Sequence, residues 1–179
     1  MRSGFTIFRN LGLAPAAANS GLAVSRRRFS AFVWSLLVLN LAAVAWGVFL
    51  RAGMFGDGCG TNWPLCPEGP LPLNGTLSRI IEGSHRLMTS LIGVASVGMA
   101  SWAFRAFPKD NNGNWVRRFA FLALALTLLE GLIGAVLVKF GLVTTNSSPT
   151  RALVMSFHVV STFFLVGALV ACALAAGPG

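Results

Sequence analysis

Four long apolar runs dominate the sequence, at about Phe29–Leu50, Ile80–Phe104, Phe119–Val138 and Ala152–Ala176. Each is close to the roughly 20 residues a helix needs to cross a bilayer. Backbone polar groups in hydrocarbon must be satisfied within their own segment, so the runs are expected to be helices. A membrane barrel would need period-two polarity, and the runs show none. The expected fold is all-α: a polytopic membrane protein, with a four-transmembrane-helix bundle over residues 29–176 behind a basic tail at residues 1–28. Hydrophobic residues make up 55% and charged residues 11% of the 179-residue chain. A soluble domain carries about one quarter charged residues, so this chain cannot supply a hydrophilic surface.

The net charge of +9 does not point to nucleic acid, because the basic residues form no face or stripe. They cluster between the apolar runs. Arg2, Arg9, Arg26, Arg27 and Arg28 precede the first run, and Arg105, Lys109, Arg117 and Arg118 lie between the second and third. The other two connections carry fewer: Arg51 and Arg79 border one, Lys139 and Arg151 the other. The positive-inside rule then puts both termini in the cytoplasm and the first and third connections outside. The N-terminal segment lacks the apolar core of a signal peptide, so the first run is expected to remain as an anchor. A mitochondrial transit peptide would share its basic, acid-poor composition. Trp34, Trp46, Trp102 and Trp115 lie in or near the ends of the runs, as interfacial or packing residues do.

The outer loop, residues 51–79, is rich in Gly and Pro and therefore in turns. Cys59 and Cys66 lie in it on the oxidising side, where a disulfide persists. Two readings fit: a structural staple, or a labile, redox-active pair. Cys172 sits alone in an apolar run and reads as a small buried hydrophobe. No paired CxxC pattern suggests zinc.

Only two histidines occur, and both fall in apolar runs. His85 follows the start of the second run by about five residues, and His158 the start of the fourth by about six. Both runs pass from outside to inside, so the two imidazoles lie roughly 8–10 Å below the outer boundary at 1.5 Å per residue. A lone intramembrane histidine is often a helix–helix hydrogen-bonding residue. Two at one depth on parallel helices form a complete axial set for a b-type haem. Zinc would need further ligands that the chain lacks.

Glu82 lies three residues before His85, on the same helix face. It can form an ion pair with Arg86 at i,i+4, or act as a carboxylate at the haem edge that moves protons. Arg79, Arg86 and Arg151 are candidate partners for haem propionates, or snorkel to the interface. Glu130, in the third run, lies at roughly 13 Å depth by helical rise. It is expected to line the pocket or to hydrogen-bond as a protonated acid, and Gly131 and Gly134 beside it would let another helix approach closely.

Together these motifs resemble the haem A synthase family. The resemblance rests on Arg51 with Gly58-Cys59-Gly60, on Trp63-Pro64-Leu65-Cys66, and on Ile81-Glu82-Gly83-Ser84-His85-Arg86. Gly131-Leu132-Ile133-Gly134-Ala135 and Phe157-His158 agree more loosely, and Met54-Phe55 replace the small polar residues expected after Arg51. Family members oxidise a methyl group of haem O to the formyl group of haem A, for cytochrome oxidase biogenesis. They are built as two fused four-helix bundles, each with a histidine pair. The resemblance implies that His85 and His158 are axial ligands to the haem iron of the first bundle, Glu82 the catalytic carboxylate, and Cys59 with Cys66 the outer-loop pair. It implies haem O as substrate, or a bound haem b, in a bacterial plasma membrane, with haem O synthase as a neighbour. The chain has the length of an amino-terminal half. Its end at residues 177–179 reads as a truncation, the alternative being a half-size form that dimerises.

Two rival functions remain at this point. A non-catalytic bis-histidine cytochrome would carry electrons and not need Glu82. A thiol/quinone oxidoreductase of the DsbB type would need a second cysteine pair, which three cysteines cannot supply.

Overall fold

The computed structural model describes residues 16–67, 69 and 74–177. Four helices follow in order: α1 (Ala16–Ala52), α2 (Leu77–Ala106), α3 (Asn111–Lys139) and α4 (Pro149–Ala176). All four are long and apolar enough to cross a membrane, α1 over Ser25–Ala52. Residues 16–28 of the expected basic tail are thus already helical, and residues 1–15 lie outside the described residues. No strand forms among the described residues beyond an isolated bridge between Cys66 and Gly69.

The helices outrun the apolar runs because capping groups carry them into the interface. Thr76, Asp110 and Ser148 are the N-caps of α2, α3 and α4, their side chains accepting from the backbone N–H of Arg79, Gly113 and Arg151. Such caps satisfy donors that a helix start leaves orphaned. Pro149 occupies the first turn of α4, where its missing N–H costs nothing. At the other end of α3, Gly141 takes φ +60°, and Leu142 N–H donates to Leu137 O at 2.8 Å. Only glycine adopts that conformation without a steric penalty, so the helix stops there in a Schellman turn. Pro108 follows the end of α2 and disfavours helical geometry at Phe107.

Each helix packs on two neighbours, in the cycle α1–α2–α3–α4–α1, and the backbones of the diagonal pairs stay apart among the described residues. The inner half is tightly closed by Phe29, Val33, Met99, Ala103, Val116, Ala120, Ala123, Leu169 and Cys172. Alanines are frequent there because lipid supplies no hydrophobic drive, and close backbone approach must hold the helices together. Polar links add to it. Ser30 Oγ donates to Ala173 O at 3.0 Å, and Ser96 and Thr127 hydroxyls meet at 3.4 Å.

The outer half is different. Among the described residues, none is buried in 44–52 of α1, 84–91 of α2, 128–136 of α3 or 149–160 of α4. Beneath this band the bundle closes at Ala43, Ile92, Thr127 and Ser161. Gly131 and Gly134 belong to it: a Cβ at either would meet nothing within 4 Å. The close helix approach expected at these glycines is therefore not made among the described residues, because the glycine face of α3 meets open space there.

Candidate functional site

Both histidines lie in the loosely packed band. His85 is eight residues into α2 and His158 nine residues into α4, on the two helices that face each other across the bundle. Helical rise puts them about 12 and 13 Å from their helix starts. Among the described residues no cluster of three or more His, Cys, Asp or Glu could hold a metal ion alone. Two imidazoles are a donor set that a haem can use and that a zinc site would have to supplement.

The surroundings of the two rings differ. His85 Nδ1 is buried without a hydrogen-bond partner. Its ring rests on the backbone of α1 at Gly47, where a Cβ would stand 3.1 Å from Cε1 and 3.5 Å from Nε2. Glycine is what lets the imidazole lie this close. Trp46, next to it, donates from Nε1 to Ser84 Oγ at 3.0 Å and so fixes α1 against α2 one residue from His85. Neither Gly47 nor Trp46 was legible as a site residue; an apolar run hides which of its glycines meets a ligand.

His158 is held differently. Its Nδ1 lies 2.6 Å from Glu130 Oε2, although the ring N–H points off that line, so the contact has ion-pair distance without hydrogen-bond alignment. Thr162 Oγ1 lies 3.0 Å from the same carboxylate oxygen, and Ser161 Oγ donates to the other. Glu130, expected to line the pocket or to hydrogen-bond, is in direct contact with a histidine.

Glu82 is buried at 3% exposure. One oxygen accepts Cys59 N–H at 2.9 Å, and the other pairs with Arg86. The ion pair expected at i,i+4 is therefore formed. Arg86 also donates to Asn62 O, and Arg79 Nε donates to Gly58 O at 3.0 Å. A Cβ at Gly58 would stand 2.5 Å from Arg79 N, so only glycine lets the loop sit down on α2 here. Cys59 and Cys66 form a disulfide with Cα atoms 4.9 Å apart, and both are buried. These contacts bind the outer loop to the start of α2 as a lid over the histidine level. Glu68 and residues 70–73 of the loop lie outside the described residues.

Of the three arginines named as propionate partners, Arg79 and Arg86 thus donate to loop carbonyls. Arg151 donates to Asn146 O at 2.9 Å, and its Nε is buried with no partner. With Arg51 it lines a cleft of about 470 Å³ between the outer ends of α1 and α4, walled also by Ser148, Met155 and Val159. Among the described residues, no acidic one lines this cleft. Two arginines on one cleft could take an anion there. Arg51 was not expected in that role.

Residues 75–178 match the family described as cytochrome oxidase assembly protein. A protein named haem A synthase from Exiguobacterium sibiricum is 36% identical over 107 residues, 60% of this chain and 34% of its own length. One of the same name from Symbiobacterium thermophilum is 33% identical over 118 residues, 66% of this chain and 35% of its length. A protein named protohaem IX farnesyltransferase from Thermus thermophilus is 37% identical over 142 residues, 79% of this chain but 23% of its length. The chain therefore spans about a quarter to a third of the curated relatives it matches. No solved structure matches. The four membrane-spanning helices and the match over all but the first of them show that the chain belongs to the cytochrome oxidase assembly protein family, COX15-CtaA.

Proposed function

We propose that this chain is the haem-gripping four-helix unit of a haem A synthase-like oxidoreductase, taking haem O as substrate and serving its conversion to haem A. The observation that carries the reading is the histidine pair, eight and nine residues into diagonal helices, within a band where, among the described residues, no helix buries a residue. The names of the Exiguobacterium and Symbiobacterium relatives support the reaction.

In this reading His85 and His158 hold the iron by imidazole nitrogen, and the haem supplies the redox chemistry. Gly47 sets how far the His85 ring can retreat toward α1. Arg51 and Arg151 pair with the propionates at the wet outer edge. The disulfide-bearing loop, held by Glu82, Arg79 and Arg86, keeps water away from the haem edge. The cysteine pair acts here as a staple, since both residues are buried. The outer loop faces away from the cytoplasm of a bacterium, with both termini inside. A haem O-making neighbour is supported by the name of the Thermus relative.

One observation favours a second reading, a bis-histidine electron carrier. Both oxygens of Glu82 are engaged in holding the loop, as a purely structural carboxylate would be. One experiment separates the two. Purified protein is given haem O, its spectrum is recorded, and the extracted porphyrin is analysed by mass spectrometry. Hydroxylated or formylated product that disappears in Glu82→Gln supports the synthase. Bound haem O without product, in the presence of an electron acceptor, supports the carrier. Binding that survives both His85→Ala and His158→Ala defeats the site itself.

A further inference from the structure

The two candidate ligands are not equivalent. His158 Nδ1 faces a carboxylate at 2.6 Å, while His85 Nδ1 is buried and faces none. Glu130 is itself fixed from α4: Ser161 and Thr162, three and four residues beyond His158, both meet its oxygens. Each of these hydroxyls also reaches the carbonyl of His158, so its single hydrogen is shared between backbone and carboxylate. Carboxylate, hydroxyls and imidazole thus form one patch on the α3–α4 seam. The charged neighbour of His85 is Arg86, and that is taken up by Glu82.

We infer that Glu130 is a positioning residue for His158. It takes the Nδ1–H, which leaves Nε2 bare toward the iron, and it makes His158 the anchoring ligand and His85 the weaker one. The inference rests on the haem reading given above. The misaligned N–H is a small obstacle, because rotation of a ring about its sp³–sp² bond is soft. Carboxylate partners of this kind orient a ligating histidine and raise its basicity, and their loss costs 10- to 100-fold in metal affinity in known sites. A hydrogen bond to an ionised carboxylate is about twice as strong as a neutral one. Negative charge behind the imidazole favours the ferric iron over the ferrous.

The test uses the full chain loaded with protohaem IX, with redox titration followed by its absorbance spectrum. Glu130→Gln keeps the shape and the hydroxyl contacts but removes the charge. Its spectrum is expected to stay six-coordinate and low-spin. Its ferric preference is expected to fall about tenfold, which raises the midpoint potential by about 59 mV for a one-electron couple. Thr162→Val removes a donor from the oxygen that faces His158, leaves more charge for the ring, and is expected to move the potential the opposite way. It also keeps the test open should Glu130→Gln not fold. His158→Ala should lose haem at least tenfold more than His85→Ala. A low-spin spectrum whose potential moves in neither variant, or equal losses for the two histidines, overturns the role of Glu130 alone. A wild-type protein that takes up no haem overturns the haem reading, and this inference with it.

Discussion

Gly47→Ala separates haem affinity from protein stability, because it should move them in opposite directions. The new Cβ would stand 3.1 Å from His85 Cε1, against the roughly 3.5–4.0 Å at which carbon atoms rest. The ring must therefore retreat by about half an ångström, which is about the tolerance of a preorganised site. A displacement of that size should weaken haem binding about tenfold, or about 1.4 kcal/mol. Replacing glycine by alanine inside a helix meanwhile gains up to about 1 kcal/mol of helix propensity. The haem-free variant should therefore melt no lower than wild type. Gly98→Ala is the control: its Cβ meets nothing within 4 Å, so it should gain the helix term and leave haem binding unchanged. The assay is a haem titration by Soret absorbance in detergent, beside thermal unfolding of the haem-free protein. If Gly47→Ala binds haem within twofold of wild type, the ring does not use that contact and the placement of His85 against α1 is wrong.

Gly58→Ala should lift the loop off α2, since its Cβ would meet backbone atoms at 2.5 Å that cannot yield; overpacking of this kind costs about 1–3 kcal/mol, read as earlier protease cleavage in the loop. Arg86→Ala strips the buried Glu82 of its cation and should cost about 3 kcal/mol in unfolding free energy, more than Arg118→Ala at an exposed site. Arg51→Ala and Arg151→Ala should each weaken haem binding by about 1.5–3 kcal/mol if the cleft takes the propionates, and neither should matter for a haem dimethyl ester. The Cys59–Cys66 disulfide, being buried, should resist dithiothreitol in the folded protein and yield two maleimide-reactive thiols only after denaturant is added. Labelling of the folded, reduced protein would count against its role as a staple.

The helices were legible because the bilayer leaves a long apolar run only one structure. Their ends were not, since Thr76, Asp110 and Ser148 extend them by capping beyond the last lipid-facing residue. The depth of His85 and His158 could be counted along each helix, as rise per residue is fixed. Which side chains turn toward them could not. Glu130 and His158 meet because α3 and α4 pack at a particular rotation, which no spacing within either helix records. The same gap separates Arg79 and Arg86 as interfacial cations from their acceptors, the carbonyls of Gly58 and Asn62 in an irregular loop. The Gly131 and Gly134 pattern misled for a related reason: small residues permit close packing, but only a neighbouring helix makes it.

The uneven packing along the bundle sets an order of events. The inner half has its own core, with Phe29, Met99 and Leu169 fully enclosed, and can hold the four helices together by itself. The outer half has none at the histidine level, and so should open first. Amide exchange should run fastest at residues 149–160 of α4 and slowest at 165–173, with haem slowing the first segment and leaving the second as it was. The protein is then closed at one end before it is loaded at the other, and the pigment it receives completes the half that the chain does not pack for itself.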